Sequence, residues 1–415
     1  MNIVLINHYA GSPEMGMEFR PYYLAKEWVK QGHRVRILAG DFSHLREHNP
    51  EVSREFQHGK IDGIDYYWIK TGKYEGNGIK RAFTMFRFVG KLWLNADKIA
   101  EKFKPDVVIA SSTYPLDTYA AQKIAKKARA ILIHEVHDMW PATLYEIGGM
   151  SKWNPFVILM QIAENSAYRH SNYVVSLLPL AKEYMIKHGM KPEHFVYIPN
   201  GIIEAEWEKS EIIPQEHECL LRELKRNNQF IIGFFGSHTN SYGLDALLDA
   251  AKKLEGDNIS FVLVGKGTEK ERLEKRKNQE NIKNVYFLPQ ISKKSIPNLL
   301  SYFDCIYIGS KASPLFRFGI CMNKMFDAMM SGKPIICAIT VKETPISIYQ
   351  CGVMVRSEDV DGIIQAIKQM EGDTEENRYR MGQNGQIAMK EHFTYEKLAN
   401  QFENIFKEAV NYDER

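Results

Sequence analysis

Phe230-Ile231-Ile232-Gly233-Phe234-Phe235-Gly236-Ser237-His238-Thr239-Asn240-Ser241-Tyr242-Gly243 decides the fold, because it restarts in mid-chain a pattern first laid down at the N-terminus. A short apolar run, a polar loop bounded by glycines, and then Leu244, Leu247, Leu248, Ala251 and Leu254 at helical spacing read as strand, loop and helix. The start of the chain does the same. Met1-Asn2-Ile3-Val4-Leu5-Ile6 leads into Gly11-Ser12-Pro13-Glu14-Met15-Gly16, and residues 18–30 follow as a helix with Phe19, Leu24 and Trp28 available for packing.

Outward from these two stretches, apolar β-branched runs alternate with longer amphipathic ones. That is the pattern of βαβ units stacking helices on both faces of parallel sheets. Strands are expected at residues 3–6, 35–38, 66–70, 107–110, 131–136, 173–177 and 196–199, and again at 230–235, 260–264, 285–288, 305–308, 334–338 and 353–355. Between the halves, Pro199-Asn200-Gly201 makes a turn and residues 204–228 are polar and strand-poor. The expected organisation is an α/β lobe over residues 1–200, a second over 201–390, and a terminal helix over 391–415 placed to reach back to the first. Two such lobes suggest a bilobal enzyme with its small-molecule site in a cleft.

Composition narrows the class. With 415 residues, 44% hydrophobic and 25% charged, the chain is an ordinary globular protein, which excludes disordered, collagenous and disulfide-scaffold readings. No apolar stretch approaches the roughly 18 residues that span a bilayer. The first residues lack a basic segment followed by a cleavable apolar one, so a cytoplasmic location is expected. Five cysteines without a C-x-x-C pair point to reduced packing thiols, with neither a disulfide nor a structural zinc. With 54 basic against 51 acidic residues, bulk charge argues against a nucleic-acid partner and leaves any cationic work to local clusters.

Several loops have the chemistry for a ligand. A glycine-bearing loop between a first strand and its helix admits an anion to backbone N–H groups, and Gly16 to Arg20 would add a guanidinium one turn into that helix. Many such turns hold glycine only for its backbone freedom. His137-Asp138-Met139-Trp140-Pro141 follows the strand at 131–136, where open α/β sheets place their ligands. His137 there can exchange a proton and Asp138 can orient it or bind a hydroxyl, or the pair closes a loop structurally. The loop at Gly236 and Val264-Gly265-Lys266-Gly267 repeat the anion-cradle layout in the second half.

The richest stretch runs from Ser313-Pro314-Leu315-Phe316-Arg317-Phe318-Gly319 through Asn323-Lys324-Met325-Phe326-Asp327 to Ser331-Gly332-Lys333-Pro334. Lys324 and Asp327, at i and i+3 of a short helix, put a cation and a carboxylate on one face. That suits a sugar nucleotide, with the cation meeting diphosphate and the carboxylate accepting ribose hydroxyls; a surface ion pair is the plainer alternative. Elsewhere, residues 80–99 mix Lys80, Arg81, Arg87, Lys91 and Lys98 with Phe83, Phe86, Phe88, Trp93 and Leu94. Such a segment can rest on an anionic bilayer and present a lipid-linked acceptor, or be a core helix with snorkelling lysines.

Taken together, His137-Asp138-Met139-Trp140-Pro141, Ile198-Pro199-Asn200-Gly201, the Gly236 loop, Gly265-Lys266-Gly267, and Asn323-Lys324 through Asp327 to Pro334 resemble the GT-B glycosyltransferases of family 4. Within them the chain is most similar to the bacterial branch that builds O-antigen and capsule sugars, which includes N-acetylfucosamine transferases. The resemblance implies two Rossmann-like lobes whose parallel sheets face a central cleft, a nucleotide-sugar donor held mainly by the second lobe, an acceptor on the first, and retention at the anomeric carbon. It places Gly16 against the donor diphosphate, and His137 with Asp138 against the transferred sugar. Ser237 and Lys324 meet the phosphates, Gln290 and Ile291 border the base, and Asp327 takes the ribose. Arg20, Gly265, Arg317 and Gly319 complete the donor-binding set, with Lys311 or Arg317 assisting Lys324.

The expected reaction is transfer from a nucleotide sugar, a UDP-sugar by preference, to a glycan or polyprenyl-diphosphate-linked sugar. Charge grows on the departing diphosphate, so Lys324 and helix N-termini supply the main rate effect. No cofactor is expected, and protein cations take the place of a divalent metal. Without an evident carboxylate nucleophile, front-face attack assisted by the leaving phosphate is favoured over a covalent intermediate. A sugar-nucleotide epimerase of the same architecture and a non-catalytic sugar-nucleotide-binding subunit are the competing readings.

Overall fold

A computed structural model describes residues 1–16, 19–76 and 78–413, with the backbone alone for Phe19 and residues 409–413. Glu18, where the first helix is expected to begin, lies outside the described residues, as do Glu414 and Arg415. The chain divides into two units, residues 1–199 with 395–415, and residues 200–394.

The first unit holds an eight-stranded sheet: β1 (Asn2–Ile6), β2 (Arg34–Gly40), β3 (Gln57–Ile61), β4 (Ile64–Ile69), β5 (Val107–Ala110), β6 (Ile131–Val136), β7 (Tyr173–Ser176) and β8 (Phe195–Tyr197), in the order β3-β4-β2-β1-β5-β6-β7-β8. All its ladders are parallel except β3 on β4. Central β1 pairs Ile3 with Val35 on one side and Val107 on the other. Ile3, Val4, Leu5 and Ile6 are all fully buried, as a parallel strand covered by helices on both faces requires. β3 is the strand the apolar pattern did not anticipate. Its residues are mostly polar and alternate between half-buried and exposed because it is an edge, and it turns into β4 through Asp62-Gly63, both at positive φ, as a two-residue hairpin needs.

The C-terminal helix Tyr395–Asp413 packs on the first helix, Phe19–Lys30. Trp28 meets Phe402 at 5.2 Å and Phe406 at 5.5 Å between ring centres, and His33 Nε2 lies 2.6 Å from the Glu403 carboxylate. Trp28, Phe402 and Phe406 are fully buried.

The second unit holds a six-stranded, wholly parallel sheet: β9 (Phe230–Phe235), β10 (Ile259–Val264), β11 (Val285–Leu288), β12 (Cys305–Gly309), β13 (Ile335–Ala338) and β14 (Gly352–Val355), ordered β11-β10-β9-β12-β13-β14. The strand-poor segment after residue 204 forms two helices, Glu204–Glu208 and Gln215–Arg226. The second lays His217, Leu221 and Leu224 into the core. Among the described residues no helix is long and apolar enough to cross a membrane.

Candidate functional site

In the second unit the site is built where β9 ends. Gly236 follows the strand at φ +116°, and its missing side chain makes room for another residue: a Cβ there would stand 3.1 Å from Lys324 Nζ. Lys324 comes from the helix Asn323–Met330 and is 9% exposed. Its Nζ lies 3.5 Å from the centre of the Tyr242 ring and 4.3 Å from that of Phe234, and has no hydrogen-bond partner. Burial pushes this ammonium down from its ordinary 10.5 to about 7. Ring faces soften that penalty without cancelling it.

The neighbouring loop is equally tight. A Cβ on Gly265 would collide with the Gly236 carbonyl oxygen, so the loops after β9 and β10 pack backbone on backbone. Between them His238 is fully buried with both ring nitrogens unpartnered, pushed down to about 4 by burial and by Lys270 and Lys324. Ser237 is exposed beside it.

Asp327 shares the helix with Lys324 but not its surroundings. It accepts a hydrogen bond from the Trp207 indole, and burial raises its carboxyl, with Lys293 opposing and Glu206 adding to the shift. No hydrogen bond or ion pair joins it to Lys324. Gln290 is exposed after β11, while Ile291 packs against the core. Arg317 is exposed, bonded to the Pro314 carbonyl at 2.6 Å and stacked over Phe318. Gly319 is buried at φ +94° and closes the turn onto Phe316. Lys311 Nζ is 2.6 Å from Asn240 Oδ1, which ties the loop after β12 to the loop after β9.

In the first unit His137 lies just past β6, with Nε2 3.1 Å from Glu135 Oε2 and 2.9 Å from Ser111 Oγ. Asp138 next to it is exposed. Arg20 is buried here as well. Its Nε donates to Glu135 Oε1 at 3.0 Å, and its two terminal nitrogens donate to the carbonyls of Pro199 and, at 2.9 Å, Ile198. Its guanidinium is therefore committed to protein acceptors. Burial works against the charged Glu135, but Arg20, with hydrogen bonds from His137 and Ser111, outweighs it and holds the carboxyl well below its ordinary range. Gly16 ends a short 3-10 helix at φ +89°, bridged to Arg46, where a Cβ would press on the Glu47 backbone at 3.0 Å.

Glu135, Ser111, Tyr242 and Trp207 were not singled out in the sequence. Glu135 and Ser111 sit in or beside apolar strands, and only the E-x-H spacing of Glu135 and His137 hints at a shared contact. The expectation of transfer without a metal took the chain to lack a D-x-D tripeptide, but it contains one, Asp359-Val360-Asp361. Asp359 caps the helix Val360–Gly372 by accepting from Gly362 N, and Asp361 pairs with Lys253, so both carboxylates have structural partners. Among the described residues no group of three or more His, Cys, Asp or Glu is placed to hold a metal.

Residues 15–201 match the family model of the glycosyl transferase 4-like domain, and residues 221–387 that of glycosyl transferases group 1. The chain is 23% identical over 292 residues to the putative colanic acid biosynthesis glycosyl transferase WcaI of Escherichia coli, covering 69% of this chain and 71% of that one. Sucrose-phosphate synthase from Thermosynechococcus elongatus superimposes with a TM-score of 0.74 at 16% identity over 99% of both chains. Anabaena HepE in complex with UDP and glucose gives 0.65 at 18% identity over 98% of this chain and 99% of that one. Likeness at such identities shows the fold, which is GT-B.

Proposed function

As a glycosyl transferase 4-like domain followed by a glycosyl transferases group 1 domain, this chain is a glycosyltransferase of the GT-B, family 4 type, and we propose that it transfers a sugar, with retention and without a metal, from a UDP-sugar to a glycan or polyprenyl-diphosphate-linked acceptor in cell-surface polysaccharide synthesis. The named relatives favour this reading, one in colanic acid biosynthesis and one bound to UDP and glucose.

The observation that carries the donor assignment is the buried, unpartnered ammonium of Lys324. A cation held out of water without an acceptor costs stability, and a site keeps one where an anion arrives to meet it. A diphosphate fits, because two glycine loops bring backbone to the same place. As the glycosidic bond breaks, charge gathers on the leaving phosphate and Lys324 stabilises it there more than in the ground state. Asp327 takes the ribose, Gln290 and Ile291 border the base, Ser237 and Gly265 line the phosphates, and His137 with Asp138 serves the transferred sugar. The acceptor's proton leaves on the departing phosphate.

The membrane reading gains support from the helix Ile79–Leu94. Its inner face buries Met85, Phe88 and Leu92, while Ile79, Phe83, Phe86, Trp93 and Leu94 repeat on the outer side at 41–78% exposure. We assign this outer stripe to the cytoplasmic face of the inner membrane, with exposed Lys80 and Lys98 beside it. Arg81 is bonded to Tyr9, Arg87 to the Thr71 carbonyl and Lys91 to Glu55, so the apolar residues rather than these cations carry the docking.

A thermal-shift panel of UDP, GDP, CMP and dTDP sugars tests the function, since a ligand bound only by the folded state raises its melting temperature. UDP-sugars are expected to stabilise the wild type and to be consumed only with acceptor. Consumption without acceptor would make the protein an epimerase, and stabilisation with no consumption a binding subunit.

A further inference from the structure

The contact triangle of Glu135 Oε2, Ser111 Oγ and His137 Nε2 fixes where its protons are. Ser111 Oγ lies 2.6 Å from Glu135 Oε2, His137 Nε2 lies 3.1 Å from the same oxygen, and Nε2 lies 2.9 Å from Ser111 Oγ. The carboxylate is ionised and brings no proton; the hydroxyl brings one. If Nε2 were bare, one proton would serve three contacts between lone-pair atoms in a buried site, leaving two of them repulsive. With a proton on Nε2 the hydroxyl donates to the carboxylate, the ring donates to both, and every contact is satisfied. Ser111 is fully buried and cannot act as a nucleophile.

Glu135 is itself held. Arg20 grips its other oxygen and ties the pair to the carbonyls of Ile198 and Pro199, the last residues of the first unit before the chain enters the second. An ionised carboxylate braced on one side and facing an imidazole on the other is how a side chain is held in one tautomer and orientation.

We propose that Glu135, braced by Arg20, is a positioning residue that holds His137 in its Nε2–H tautomer, so that the lone pair of the neutral ring sits on Nδ1. This rests on the reading that His137 serves the transfer site. Other charged or titratable groups near the ring are Asp117, His134 and Asp138.

Full-length protein with ring-15N histidine gives a readout independent of any ligand. The His137 signals, identified by their loss in His137→Gln, are expected to show Nε2 protonated and Nδ1 bare once the ring is neutral; an Nδ1–H tautomer overturns the proposal. In Glu135→Gln the His137 titration is expected to fall by about 1–3 pH units, as loss of an adjacent opposite charge does. An unmoved titration also overturns it. Because Glu135→Gln leaves Arg20 buried without its carboxylate, Arg20→Gln/Glu135→Gln serves where the single variant does not fold. With the nucleotide sugar selected by thermal shift, Glu135→Gln should lower kcat about 10²-fold with little change in KM, and add no further loss in the His137→Gln background. Additive losses would mean that Glu135 does not act through His137. Full activity in His137→Gln itself would instead remove His137 from the transfer site and leave the tautomer result standing.

Discussion

Lys324 Nζ lies 3.5 Å from the centre of the Tyr242 ring, buried and without a hydrogen-bond acceptor, directly against Gly236. An ammonium in that setting is an incomplete interaction. Lys324→Met keeps the stem and removes the charge. The folded protein is expected to melt at the same or a higher temperature, because an unpaired buried charge is gone. UDP affinity should fall about 10- to 100-fold, the worth of one charge-assisted contact. Calorimetry beside a melting curve checks both; a variant that binds UDP like the wild type would count against the assignment.

The sign of the pH effect follows from the direction of the shift. Lys324 titrates near 7 in the folded protein and at 10.5 in its ordinary state, so between these values the unfolded chain holds more protons. Its penalty is greatest below pH 7 and shrinks as pH climbs toward 10.5, so this group makes stability rise across that window. Nucleotide binding should take up a proton, and affinity should weaken by up to about tenfold per pH unit above 7. Titrations in buffers of different ionisation enthalpy measure the uptake, and Lys324→Met should abolish it.

Two glycines should respond in opposite directions to alanine. At Gly265 a Cβ collides with the Gly236 carbonyl, so Gly265→Ala is expected to cost about 1–3 kcal/mol or more and to weaken UDP binding. Gly90 lies in the helix Ile79–Leu94 with nothing near its Cβ position, so Gly90→Ala should stabilise by about 0.5–1 kcal/mol. Chemical denaturation of both variants provides the comparison.

The return of the C-terminal helix is held by rings. Phe402→Ala empties the space beside Trp28 and should cost about 3–5 kcal/mol. A loss under about 1 kcal/mol in urea denaturation would show the helix to be dispensable to the first unit.

Membrane docking is separable from folding. Replacing Ile79, Phe83 and Leu94 with Ser should abolish flotation with anionic phosphatidylglycerol vesicles while leaving the melting temperature nearly unchanged, since these side chains already face solvent. Undiminished flotation would remove the outer stripe from that role.

Most strands were legible because a parallel strand buried on both faces is nearly all apolar, as β9 is and as β1 and β10 are but for Asn2 and Ser260. β3 was not, since an exposed edge carries Gln57, His58 and Lys60, although its Asp62-Gly63 turn was a readable signal. Lys324 stood out in the sequence by its spacing from Asp327, yet spacing could not show that the two side chains have different surroundings. Arg20 looked like a ligand for phosphate because its partners are remote in sequence: Glu135 lies 115 positions away and Pro199 lies 179 away. Glu135 was hidden inside an apolar strand, where a carboxylate has no periodicity to announce it.

The central claim is that Lys324 awaits the donor diphosphate, and its 13Cε chemical shift, followed against pH, tests this most directly. Without ligand the resonance should titrate near 7, and saturating UDP or inorganic pyrophosphate should move that midpoint above about 9, as a neighbouring anion favours the charged form. A midpoint that UDP and pyrophosphate leave in place would contradict the account.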